Sequence, residues 1–124
     1  MARILVVDDN LPNLELMLYL LKKSGHDPVG FARSRDGLAA ARQEPFDLVL
    51  TDILMPEMDG YEFARQYRQF PNRAKLLAVT ALAMVGDRER VLAGGFDGYI
   101  AKPIDPVEFV PLIERYLSWA SARA

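Results

Sequence analysis

The run Ile4-Leu5-Val6-Val7 is apolar, rich in β-branched residues, and ends abruptly in Asp8-Asp9-Asn10. A strand of this kind is covered on both faces along its length and polar only where it stops, as in a parallel sheet flanked by helices. The pattern returns three times. Leu48-Val49-Leu50-Thr51 ends in Asp52, Leu76-Leu77-Ala78-Val79 ends in Thr80, and Tyr99-Ile100-Ala101 ends in Lys102. In an open α/β sheet the carboxyl ends of the strands share one edge, the edge where ligands bind. Three carboxylates, a hydroxyl and an ammonium are thereby expected to converge there.

Helical signals fill the intervals. Leu14, Met17, Leu18 and Leu21 fall at i, i+3, i+4 and i+7, which predicts a helix from about Leu11 to Ser24, with Pro12 in a tolerated first-turn position and Gly25 as its stop. Val29 to Ala32 reads as a short strand with Pro28 at its entrance, as suits a sheet edge. Ser34 is expected to cap a helix that continues to Pro45. Asp59-Gly60 opens the next helix, with Gly60, Phe63, Ala64 and Tyr67 on one face and Pro71-Asn72 at its close. The helix from about Val85 to Ala93 has few apolar residues, ends at Gly94-Gly95 and is expected to pack weakly. A final helix from about Pro106 carries Phe109, Leu112, Ile113, Tyr116 and Leu117 as an amphipathic stripe, with Trp119 beyond it expected to pack back.

Five strands alternating with five helices imply an α/β fold with right-handed crossovers and helices on both faces of a doubly wound parallel sheet. The common order for five strands is 2-1-3-4-5, the flavodoxin-like arrangement. It makes the first and third strands neighbours at the switch point, where Asp8-Asp9 then faces Asp52. A length of 124 residues with 51% hydrophobic and 26% charged composition suits one domain with its own core, spanning residues 1–124. The chain has no cysteine, which excludes disulfides and thiolate metal sites and suits the cytoplasm. No leader pattern or long apolar run marks it for secretion or for a membrane. A net charge of −2 offers no basic surface for nucleic acid. His26, single and beside Gly25, is expected at the surface.

Two unit charges about 4 Å apart repel by roughly 4 kcal/mol at an effective dielectric near 20, so three carboxylates in one cleft either hold protons or recruit a cation. Mg²⁺ prefers oxygen ligands and typically takes one or two carboxylates plus a phosphate oxygen. Lys102 adds an ammonium for a phosphoryl oxygen and Thr80 a hydroxyl. These are the parts needed for in-line phosphoryl transfer onto a carboxylate. Taken singly, the same residues have plainer readings: Asp8-Asp9 as a turn and helix cap, Asp52 as a loop residue, Lys102 as a solvated charge, Thr80 as a cap, and Tyr99 as packing.

The motifs Val7-Asp8-Asp9-Asn10, Asp52-Ile53-Leu54-Met55-Pro56 with Met58-Asp59-Gly60, Val79-Thr80-Ala81 and Lys102-Pro103, in that order and at those strand ends, resemble the receiver domains of two-component response regulators over essentially the whole chain. The resemblance implies Asp52 as phosphoacceptor, Asp8 and Asp9 as the acid pair that holds Mg²⁺ together with Asp52 and the backbone carbonyl of Leu54, and Lys102 as the phosphoryl partner. It further implies Thr80 as a switch hydroxyl, Tyr99 as the aromatic that changes rotamer with it, and a cis Lys102–Pro103 bond. The partners it implies are a histidine kinase or histidine phosphotransfer protein as donor, and a downstream protein that reads the face of the fourth helix, fifth strand and fifth helix, with the domain a monomer or a phosphorylation-dependent dimer. The expected role is a switch that assists its own phosphorylation and slow dephosphorylation, not an enzyme.

The stretch Ala81-Leu82-Ala83-Met84 with Gly86-Asp87-Arg88-Glu89-Arg90, and the Asn10-Leu11-Pro12-Asn13 opening, are similar to stand-alone regulators of bacterial cell-cycle and phosphorelay circuits and to receivers of hybrid histidine kinases. Because the chain ends shortly after its last helix, the signal is expected to leave through protein contacts. A receiver excised from a hybrid kinase or larger regulator, and an interaction module independent of phosphorylation, are the alternatives. A flavin carrier of the same topology is disfavoured because Asp8-Asp9 would repel its phosphate. A phosphatase would want a second acid where Leu54 stands.

Overall fold

The computed structural model describes residues 1–71, 73–81 and 86–123, with side chains described through Ser118. Five strands, β1 (Arg3–Val7), β2 (Asp27–Phe31), β3 (Leu48–Asp52), β4 (Lys75–Thr80) and β5 (Gly98–Ala101), form one sheet in the order β2-β1-β3-β4-β5. All four pairings are parallel. Helices α1 (Leu11–Lys23), α2 (Ser34–Gln43), α3 (Gly60–Tyr67), α4 (Asp87–Ala93) and α5 (Phe109–Arg123) connect or follow them, giving the doubly wound, flavodoxin-like fold.

Side chains alternate between the two faces of each strand, so each face has its own core. On one face Ile4, Val6, Leu50 and Val79 pack against Leu14, Met17 and Leu21 of α1 and Phe109 and Ile113 of α5. On the other, Leu5, Val7, Val49, Leu76 and Ala78 pack against Leu38, Phe63, Ala64, Tyr67 and Val91 from α2, α3 and α4. β3, in the middle of the sheet, is buried throughout, as its apolar run requires. Pro28 lies in β2 at the sheet edge, where a missing donor is harmless. Apart from Asp87, only Val91 is buried in α4, consistent with a weakly packed helix.

Several local details depart from the sequence expectations. Ser34 does not cap α2: it is the buried first helical residue, and Arg33 occupies the cap position with no side-chain hydrogen bond. The cap of α1 is Asn10, whose side chain accepts from the Asn13 amide at 3.0 Å, so neither Asp8 nor Asp9 is spent on that task. α5 begins at Phe109 rather than near Pro106, because Asp105 Oδ1 takes the Val107 amide at 2.8 Å and holds a turn ahead of the helix. His26 is not a surface residue. Its side chain is only 7% exposed, with Nδ1 accepting from the Ala2 amide at 3.0 Å and Nε2 lying 2.7 Å from Glu114, so it ties the start of β1 to α5. The expected start of the fourth helix at Val85, the stretch 82–84, Asn72 and the packing of the Trp119 side chain lie outside the described residues. Among the described residues no helix is long and apolar enough to cross a membrane.

Candidate phosphoryl-transfer site

The register of the sheet builds the site. Val7 pairs with Thr51, so the next residue on each chain, Asp8 and Asp52, lies at adjacent tips on the same face. β4 and β5 end opposite one another at Thr80 and Ala101, and the Lys102 amide donates to the Thr80 carbonyl at 2.8 Å, which sets the lysine beside the acids. The Lys102–Pro103 bond is cis.

Carboxylate oxygens of Asp8, Asp9 and Asp52 lie within 4.8 Å of one another. Asp8 is fully buried, Asp52 is buried and Asp9 is exposed, so the cluster opens to solvent through Asp9. Asp52 Oδ1 accepts from the Ile53 amide at 2.7 Å and the Leu54 amide at 3.4 Å, while Oδ2 accepts from Lys102 Nζ at 3.0 Å. Asp8 Oδ1 accepts from the Asn10 amide at 2.9 Å. Its Oδ2 forms an ion pair with Lys102 Nζ at 3.0 Å and, among the described residues, meets no donor in hydrogen-bond geometry.

Burial raises the Asp8 pKa above the ordinary carboxylate range, with the Asn10 amide and Lys102 opposing it and Asp52 adding to it. Burial alone would lower Lys102, but its pairing with the Asp52 and Asp8 carboxylates outweighs that and raises it. A buried carboxylate oxygen with no hydrogen bond among the described residues, beside two further carboxylates and an open side, fits a hard divalent cation of the Mg²⁺ kind.

Thr80 is buried at the end of β4 and Tyr99 is half-buried on β5. Because Ala78 pairs with Tyr99, and Thr80 lies two residues on from Ala78, Thr80 and Tyr99 are diagonal neighbours on one face of the sheet. Leu54 lies on the loop after β3 and is 67% exposed. The structure therefore brings Asp8, Asp9, Asp52, Leu54, Thr80 and Lys102 to one edge, with Tyr99 one step back along β5.

Two contributors carried no clear sequence signal for this role. Gly60 donates its amide to the Ile53 carbonyl at 2.8 Å, and a Cβ there would lie 2.5 Å from the Asp52 carbonyl oxygen, so only glycine lets α3 begin so close to the acid. Thr51 turns its buried hydroxyl to the Asp52 carbonyl at 3.0 Å. Asp59 caps α3 by accepting from the Glu62 amide at 2.9 Å, as the Asp59-Gly60 pair suggested.

Residues 4–114 match the response regulator receiver domain family. The polar-differentiation response regulator DivK of Brucella anthropi is 38% identical over 123 residues, covering 92% of this chain and 94% of that protein. A CheY-like receiver domain protein of Methanospirillum hungatei has a similar structure, with a TM-score of 0.90 and 30% identity over 100% of this chain and 99% of that one. The receiver domain of a Pseudomonas aeruginosa sensor histidine kinase, which carries a magnesium ion in its active site cleft, has a TM-score of 0.85 and 31% identity over 94% of this chain and 98% of its own. The chain belongs to the response regulator receiver domain family of two-component systems, whose members are phosphoacceptor switches rather than classical enzymes.

Proposed function

We propose that this domain, as one unit over residues 1–124, takes a phosphoryl group onto Asp52 from a phosphohistidine donor, a histidine kinase or histidine phosphotransfer protein, and that the modification changes the face it offers to a downstream protein. The observation that carries the reading is the triple convergence at Lys102, whose ammonium lies 3.0 Å from both Asp52 Oδ2 and Asp8 Oδ2 while Asp9 completes the acid cluster. Asp8, Asp9, Asp52 and the Leu54 carbonyl would hold Mg²⁺. When bound, the ion supplies positive charge against the phosphoryl oxygens.

The remaining work falls to the chain. The Ile53 and Leu54 amides orient the Asp52 carboxylate, and Lys102 neutralises it before transfer and a phosphoryl oxygen after it. As the new O–P bond forms, the P–N bond of the donor breaks, its electron pair stays on the imidazole nitrogen, and that nitrogen takes a proton from solvent. Slow hydrolysis by water reverses the state.

The phosphoryl group carries about −1.5 to −2 charge and offers Thr80 a charge-assisted bond. Drawing the hydroxyl inward makes room on the same sheet face for Tyr99, and the change reaches the surface of α4, β5 and α5, with the domain a monomer or a phosphorylation-dependent dimer. Phosphorylation thus shifts a two-state equilibrium. The absence of cysteine is consistent with a cytoplasmic setting.

Incubation with phosphoramidate and Mg²⁺ followed by intact-mass measurement tests the reading. One added phosphoryl group in the wild type and none in Asp52→Asn are expected, and an unchanged gain in Asp52→Asn contradicts the assignment.

A further inference from the structure

Thr51 is fully buried, and its side chain points away from the acid cleft. It pairs with Val7, whose side chain lies in the core shared with α2 and α3, so Thr51 faces that core and not the sheet face of Asp8 and Asp52. Its hydroxyl nevertheless reaches the site through the backbone. Thr51 Oγ1 donates to the Asp52 carbonyl at 3.0 Å, and the same peptide group offers its other end, the Ile53 amide, to Asp52 Oδ1 at 2.7 Å. The peptide plane is held at its oxygen by Thr51 and holds the carboxylate at its nitrogen.

A peptide unit is rigid and turns as a whole about its flanking bonds. Releasing the oxygen lets the plane swing, and the amide moves off Oδ1 as it does. On the far side α3 packs closely on this peptide at Gly60, but by contact and not through a hydrogen bond from its amide to the Asp52 oxygen. Gly60 abuts the Asp52 carbonyl without a side chain, and its amide is used on the next carbonyl along, that of Ile53.

We propose that Thr51 is a positioning residue for phosphoryl transfer: by fixing the Asp52–Ile53 peptide it locks the Asp52 carboxylate in the rotamer that keeps Oδ1 on the backbone amides and turns Oδ2 to Lys102 and the cleft. This rests on Asp52 being the phosphoacceptor. Thr51 touches neither donor nor ion and acts on the fraction of molecules whose carboxylate is aimed, so at saturating Mg²⁺ its effect falls on the rate and not on affinity for the phosphodonor.

The experiment compares wild type, Thr51→Val and Thr51→Ser as full chains with phosphoramidate and Mg²⁺. Valine keeps the β-branched shape in the buried strand but has no donor, whereas serine keeps the donor. Loss of one neutral hydrogen bond corresponds to about a fivefold effect. The maximal phosphorylation rate should therefore fall about fivefold in Thr51→Val at an unchanged half-saturating phosphoramidate concentration, and recover to within about twofold in Thr51→Ser. In amide NMR the Ile53 proton should move upfield and exchange faster in Thr51→Val only.

A wild-type rate in Thr51→Val, a Thr51→Ser variant as slow as the valine one, or an effect on half-saturation alone overturns the inference. If the wild type takes no label, the functional reading has failed, and the Ile53 amide then decides by itself whether the peptide clamp exists.

Discussion

Lys102 Nζ lies 3.0 Å from Asp52 Oδ2, so the cation after β5 neutralises a carboxylate 50 positions earlier, at the end of β3. Truncating one partner of a buried charge cluster leaves the others uncompensated. Lys102→Ala should therefore lower unfolding free energy by about 2 kcal/mol in divalent-free buffer, with much of the loss restored by millimolar Mg²⁺. Urea denaturation with and without Mg²⁺ reads both numbers. An equal loss in the two buffers would show that the ion and the lysine do not share the acids.

Asp8 supplies the pH dependence. Burial raises its folded-state pKa above the unfolded value, so the native state holds its proton more tightly. Stability from this group is accordingly greatest below the unfolded pKa and falls as pH rises through the folded one. Asp8→Asn removes that penalty. Without Mg²⁺ it should stabilise the domain by about 1–2 kcal/mol at pH 7, with the difference closing as pH drops below the ordinary carboxylate range, and it should abolish stabilisation by Mg²⁺. Glu62 works in the opposite sense. Its bonds from Arg65 and Gln66 lower it to about 2, so what it contributes is present above its ordinary value of 4.5 and is lost as pH falls toward 2. A denaturation series from pH 3 to pH 8 on the wild type and Asp8→Asn separates the two groups.

Gly60 makes a steric prediction. A Cβ there would meet the Asp52 carbonyl oxygen at 2.5 Å and Ile53 Cα at 2.7 Å, both backbone atoms that cannot rotate aside. Gly60→Ala should destabilise the domain by about 1–3 kcal/mol and slow phosphorylation at Asp52. Measuring both in the same preparation checks that the strain falls on the site and not only on α3.

The Tyr61 hydroxyl is buried with no hydrogen-bond partner among the described residues, in a side chain whose ring packs edge-on against Phe96 at 6.0 Å. Removing an unsatisfied buried hydroxyl relieves its desolvation penalty. Tyr61→Phe should raise the stability of the unphosphorylated domain by up to about 1 kcal/mol, as read by chemical denaturation. A loss of stability would mean that the hydroxyl is hydrogen-bonded after all.

The site was legible in the sequence to the extent that it follows from strands ending in polar residues. Asp8, Asp52, Thr80 and Lys102 each close an apolar run, and the fold order then dictates their meeting. What escaped depends on backbone groups and on partners far along the chain. Thr51 acts through a carbonyl that no pattern of side chains reveals. The His26 side chain is enclosed where the Ala2 amide and Glu114, 88 residues away from it, converge on its ring. The cap of α2 falls at Arg33, with Ser34 buried as the first helical residue, and Asn10 caps α1 while Asp8 and Asp9 stand in the acid cluster. Local preference names the candidates for a cap; tertiary packing chooses among them.

Borohydride reduction converts an aspartyl phosphate to homoserine, so it marks the residue that carried the phosphoryl group. Treating the domain with phosphoramidate and Mg²⁺, reducing it and mapping the peptides should give homoserine at position 52, with the product lost when Mg²⁺ is chelated. Homoserine at any other aspartate, or the same yield at position 52 without divalent cation, would contradict the account.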